Sequence, residues 1–115
     1  MRRALAGTAM ILSSLPMAAF AQGKGIRLWN LTTATMTGFQ LSPAGQNNWG
    51  PNQTLNDKDK ELDHDERLKL SGVEPGRYDA RVSYAGDRQC TVRDLDIKAD
   101  AVVSVTDKDL KDCTK

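Results

Sequence analysis

Three features of this 115-residue chain predict an all-β fold, a small antiparallel β-sandwich or open barrel of six to seven strands. Apolar side chains recur at every second position in several short segments, the period of a half-buried strand. Glycine, proline, asparagine and aspartate punctuate those segments at short, regular spacing. After the first 21 residues, no stretch carries its apolar residues at the helical period of about 3.6.

The first strand runs from Ile26 to about Asn30, with Ile26 and Leu28 alternating with Arg27 and Trp29. Trp29 thus falls on the phase opposite Leu28, either exposed on the sheet or part of a second buried face. Met36 to Leu41 makes the second strand, in which Gly38 marks a bulge where the alternation slips. Arg67-Leu68-Lys69-Leu70 alternates cleanly and stops at Ser71-Gly72. Past Glu74-Pro75-Gly76, the residues Tyr78, Ala80, Val82 and Tyr84 take alternate positions, with Asp79, Arg81 and Ser83 on the other face. This is the strongest strand. Ala85-Gly86-Asp87-Arg88 reads as a hairpin connection. Gln89 to Ile97 returns with Cys90 and Val92 inward and a slip around Asp94. Lys98-Ala99-Asp100 then turns the chain into a β-branched strand, Ala101 to Thr106, expected to lie antiparallel to its predecessor. The expected core is Ile26, Leu28, Leu41, Leu68, Leu70, Tyr78, Ala80, Val82, Val92, Leu95, Ile97 and Val103. Two stretches interrupt the pattern: a long loop from Ser42 to Asn56 that carries Trp49, and a dense acidic segment from Asn56 to Glu66.

The N-terminus has a different character. Arg2 and Arg3 precede an apolar run from Ala4 to Leu15, and Ala19-Phe20-Ala21 follows. That layout is a secretory signal peptide over residues 1–21, too short in its apolar part to span a bilayer. The expected mature chain, residues 22–115, is 94 residues long, one domain's worth. Removing Arg2 and Arg3 from 16 basic residues leaves 14 against 15 acidic ones. Such balance gives no electrostatic reason to expect nucleic acid or an anionic membrane as partner. The two cysteines, Cys90 and Cys113, lie 23 positions apart in the exported part, and an oxidising compartment favours a disulfide between them.

Chemistry is sparse. The single histidine, His64, sits between Asp63 and Asp65 in a polar segment, and both cysteines are expected to be committed to each other. A nucleophile–base pair on a rigid scaffold is therefore not in view, and the chain reads as a non-enzyme without catalytic residues. Asp57, Asp59, Glu61, Asp63 and Asp65 occupy every second position, the start of an oxygen-ligand pattern for calcium. Leu62 and Leu68 stand where an EF-hand loop needs its glycine and its closing glutamate, so a solvated acidic loop with no cofactor is the plainer reading. Trp49, between Asn48 and Gly50, either stacks on a carbohydrate ring or anchors a protein partner, or folds back to cap one end of the sandwich.

Leu41-Ser42-Pro43-Ala44-Gly45 followed by Trp49-Gly50-Pro51, with Pro75-Gly76 and then Tyr78-Asp79 and Arg81 downstream, resembles a family of small secreted bacterial proteins of unknown function. In that family an S-P-x-x…W-G segment follows the second strand and a G-x-Y-D-x-R/K strand comes later. The resemblance spans about residues 26–106 and implies a β-sandwich-like fold and export, with no activity attached. The acidic segment stands where such proteins usually have a short turn. The functional expectation is an exported, monomeric, non-catalytic binding or accessory module, periplasmic or secreted, with a protein or carbohydrate partner. The alternative is a calcium-dependent module using residues 57–66. Export is testable directly: intact-mass analysis of periplasmic or secreted material should place the mature N-terminus at or next to Gln22, and a retained Met1 would refute the leader.

Overall fold

The two-residue period organises the chain into seven strands, seen in a computed structural model that describes residues 23–114. They are β1 (Arg27–Leu31), β2 (Met36–Pro43), β3 (Arg67–Lys69), β4 (Gly76–Tyr84), β5 (Arg88–Ile97), β6 (Val102–Thr106) and β7 (Lys111–Thr114). Short 3-10 turns lie at Gln53–Asn56, Ala85–Asp87 and Asp107–Asp109. The expected leader, residues 1–21, lies outside the described residues. One sheet has the order β3-β1-β6 and the other β2-β4-β5-β7, and the core lies between them.

Ten of the twelve expected core residues are buried; Tyr78 and Leu95 are only partly so. Those two face each other across β4 and β5 beside a bulge, which turns them to the margin of the core. The bulge falls where the alternation slips, with Asp94 in the left-handed region at φ 59°. The second slip is also a bulge, between Met36 and Gly38. It shifts the inward phase so that Phe39 and Leu41, rather than the even-numbered residues, enter the core. A side chain at Gly38 would press within 3.1 Å of Ser83, so glycine lets β2 and β4 close there.

Two parts of the topology correct the sequence reading. First, β6 does not run antiparallel beside β5. It crosses to the other sheet and pairs in parallel with β1, Leu28 opposite Val103. The turn before it is tied to β1, which sets that course: the Asp100 carboxylate accepts the Gly25 N–H at 2.9 Å, and the Arg27 N–H donates to Ala101 O at 3.0 Å. Second, Cys113 lies on a further strand, β7, which the alternation does not mark. Asp109 accepts both the N–H and the hydroxyl of Thr106, which turns the chain back to the four-stranded sheet, where β7 pairs antiparallel with β5. All four β7 residues are exposed, so the strand has little apolar burial of its own. The Cys90–Cys113 disulfide, Cα–Cα 4.0 Å, joins it to the fully buried Cys90. A loop of that length corresponds to roughly 3 kcal/mol in the chain-entropy model.

The acidic segment is not a detached loop either. Leu62, at its middle, is fully buried, and its N–H and C=O both pair with Met36 at 2.9 Å. One apolar side chain among six carboxylates therefore pins the segment across the open end of the sandwich. Beside it lies Asn30, also fully buried, with every polar group used. Its N–H donates to Glu66 O and its C=O accepts from Asp65 N–H. Its Oδ1 accepts from the N–H and hydroxyl of Thr32, and its Nδ2 donates to Ala34 O and Leu62 O. The Tyr84 hydroxyl donates to Thr32 Oγ1 at 3.1 Å, extending the network to the other sheet. Burial raises the Tyr84 pKa, with the Thr32 bond opposing. Asn30→Ala would leave the buried Thr32 N–H without its acceptor and take one of two donors from Ala34 O and from Leu62 O, and should cost about 1–3 kcal/mol. Urea unfolding at neutral pH measures it, and a loss below about 1 kcal/mol would show that water replaces the amide without cost.

Candidate binding surface around Trp49

The surface begins at the free edge of β2, whose other edge pairs with β4. An open row of backbone donors and acceptors invites association, and this chain covers it with its own long loop. Gly50 N–H donates to Leu41 O at 2.8 Å, Phe39 N–H donates to Asn52 Oδ1 at 2.9 Å, and Thr54 Oγ1 donates to Thr37 O at 3.1 Å. Two side chains add to the hold: Ser42 Oγ accepts Asn48 N–H at 2.8 Å, and Gln40 Nε2 donates to Gly50 O at 3.1 Å. Trp49 is thus fixed at both flanks by its neighbours' backbones.

Its ring is half-buried, with the Arg81 guanidinium 4.4 Å from the ring centroid. Arg81 sits at the middle of β4 on the solvent face, in a transverse row with Gln40 on β2 and Thr91 on β5. An indole under a guanidinium is a cation–π contact of about 0.5–1 kcal/mol where partly solvated. Among the described residues the Trp49 N–H makes no protein hydrogen bond, whereas the Trp29 N–H donates to Asp65 O and Oδ1. Trp29 carries its own guanidinium, Arg67 at 4.1 Å. It is half-buried on the outer face of the three-stranded sheet.

The two sequence motifs meet here. Pro43 faces Tyr78 and Ser42 faces Asp79 across β2 and β4, and Arg81 lies over Trp49. Asp79, nearly fully buried, joins them: its Oδ2 accepts Gly45 N–H at 2.9 Å and its Oδ1 accepts Asp94 N–H at 3.0 Å. Gly45 turns at φ 79°, a conformation that suits glycine. The Gly45 and Asp94 N–H groups hold the Asp79 carboxyl below the usual carboxylate range. Burial opposes them, and Arg93, 3.4 Å away, adds a smaller contribution in the same direction as the amides. Asp79 is a structural clamp between the Trp49 loop and the β5 bulge.

The acidic side chains disperse onto separate partners. Asp57 accepts Asp59 N–H, Asp63 accepts the Thr35 hydroxyl, Asp65 accepts the Trp29 indole, and Glu66 accepts Asp63 N–H. Glu61 and Asp59 are exposed. Among the described residues no three histidine, cysteine or acidic side chains gather where they could hold a metal ion. His64 donates through Nδ1 to Thr32 O at 2.7 Å. The cavity between Leu41, Pro51, Gln53, Ser71, Val73 and Tyr78 holds about 200 Å³, beneath the roughly 300–1,000 Å³ of ligand pockets, and no charged side chain lines it. A shallow groove between β5 and β6, about 360 Å³, mixes Arg93, Asp94, Asp96, Lys108, Asp109 and Lys111.

Sequence reasoning singled out Trp49 but not its partner Arg81. The shared motif was the only signal, since 32 positions separate the two. Comparison with protein-family models, curated proteins and solved structures finds no match to this chain. The clamp can be tested alone. Asp79→Asn leaves one N–H unmatched and should cost about 1–3 kcal/mol at pH 7. Because the native carboxyl titrates below its unfolded value of about 3.9, its contribution is full above that value and lost as pH falls through the native one. The gap between wild type and variant should therefore narrow in urea melts at pH 3, and a constant gap would refute the clamp.

Proposed function

We propose that this chain is an exported, non-catalytic binding or accessory module whose contact point is the Trp49 indole. One observation carries the reading: a half-exposed indole, whose ring N–H has no protein acceptor among the described residues, lies under a guanidinium on a loop whose flanking residues are hydrogen-bonded to a sheet edge. A ring so held loses little entropy on binding, and its face suits a sugar ring or an apolar side chain of a protein. Export is supported by Arg2-Arg3, the apolar run and Ala19-Phe20-Ala21, and a disulfide is compatible with an oxidising compartment. No helix among the described residues is long and apolar enough to cross a membrane. Both cysteines are oxidised and the histidine is tied to a carbonyl, which leaves no nucleophile–base pair among them.

The test has two arms, a glycan array probed with mature protein and photo-crosslinking in cells from the exposed neighbouring position 48, which keeps Trp49 in place. The expected result is a hit that Trp49→Ala weakens about tenfold, as for one aromatic contact of ~1.4 kcal/mol, with a cooperative melting transition retained. Binding indifferent to Trp49→Ala, or turnover of an array glycan, would overturn it.

A further inference from the structure

The outer face of the three-stranded sheet departs from the overall charge balance. Its outward positions are Arg27, Trp29 and Leu31 on β1, Arg67 and Lys69 on β3, and Val102, Ser104 and Thr106 on β6. Three are cationic and none is acidic. Arg27 lies directly opposite Lys69, an arrangement of like charges that costs stability in a sheet. Among the described residues, none of these three cations has a carboxylate within 4 Å; the ion pairs found there join other residues. The two bordering carboxylates are engaged by neutral donors, Asp65 by the Trp29 indole and Asp100 by Gly25 N–H.

The guanidinium groups are nevertheless ordered. Arg27 donates to Gly25 O at 3.3 Å and to Asp100 O at 3.0 Å, and Arg67 lies 4.1 Å over the Trp29 ring. The stem of Lys69 lies against Gly25. Orientation is fixed by neutral contacts while the charge stays unneutralised. Neither contact consumes the full donor fork of its arginine, so each keeps N–H groups for a two-point grip on a carboxylate.

From this juxtaposition we propose that the face formed by Arg27, Arg67 and Lys69 is a docking surface for an acidic polysaccharide, a chain bearing uronate carboxylates. Arg67 and Lys69 stand about 7 Å apart along one strand and Arg27 about 5 Å across from Lys69, so neighbouring carboxylates of one chain can be met together. Ser104, level with Trp29, offers a hydroxyl to the sugar. A lipid surface suits the face less well. Trp29 has one face and its N–H committed, and Val102 at 37% is the only exposed large apolar residue there. Single-stranded nucleic acid is held by stacking successive bases on several aromatic side chains, and this face carries one indole. The inference stands apart from the Trp49 reading, since Trp49 belongs to the outer face of the other sheet.

Calorimetric titration of the mature protein tests it, with oligogalacturonate as probe and a neutral galactan oligomer, polyglutamate, single-stranded DNA and phosphatidylglycerol vesicles as comparisons. Oligogalacturonate should bind, more weakly as salt rises from 50 to 200 mM, and Arg67→Gln with Lys69→Gln should weaken it about tenfold or more. Trp49→Ala should leave it unchanged, which separates this outcome from the fate of the Trp49 proposal. The double variant relieves the Arg27–Lys69 opposition and removes the Arg67–Trp29 contact, two effects of opposite sign and each below about 1 kcal/mol at exposed positions, so its cooperative melting transition should be retained. Absence of oligogalacturonate binding, indifference to the double substitution, or tighter binding of polyglutamate, DNA or vesicles would overturn the proposal.

Discussion

The open end of this sandwich depends on Asn30. A buried amide is costly unless each donor and acceptor is matched, and here the four polar groups of the residue make six hydrogen bonds. Its partners are the end of β1, the turn before β2, the centre of the acidic segment and the entry to β3. No apolar side chain could specify all four at once, because hydrophobic contact is non-directional. The network fixes where the acidic segment docks, which delivers Leu62 to Met36 and Arg67 to its place over Trp29. Tyr84 then carries the constraint to the second sheet.

At the other end of the chain, closure is achieved by crossing between sheets. After β5 the polypeptide leaves the four-stranded sheet, adds β6 to the open edge of β1, and returns as β7. Neither crossing is held by an apolar cluster alone. Asp100 and Arg27 secure the first, and the Thr106–Asp109 capping box with the disulfide secures the second. β7 has four exposed residues, so without a covalent tie its ordering entropy would meet little opposing burial. A small domain with limited core gains most from such a bond.

Much of this was legible in the sequence because it is local. Alternation located β1 to β6, and the two places where it slips are both bulges, at Gly38 and Asp94. What was not legible depends on long-range pairing. Leu62 is one apolar residue among carboxylates, and no window average shows that its single side chain reaches the core. Asn30 resembles a residue that ends a strand, and its burial follows only from the segments that converge on it. The parallel course of β6 is a property of which edge stands open, and the pattern Val-Val-Ser-Val-Thr is equally suited to either neighbour. At the candidate site, Trp49 was visible as an aromatic in a polar loop. Arg81 looked like an ordinary outward residue of a strong strand. The cations of β1 and β3 were hidden by a net charge near zero, since only register brings Arg27 opposite Lys69.

The Trp49 loop holds the edge of β2 with atoms other than the indole. Edge protection is carried by the backbone of Gly50 and by the side chains of Asn52, Thr54, Ser42 and Gln40. None of those bonds uses the indole. The indole is half-buried, and among the described residues no protein group accepts its N–H. The loop's hydrogen bonds therefore account for its place on the edge of β2 without any contribution from the indole N–H.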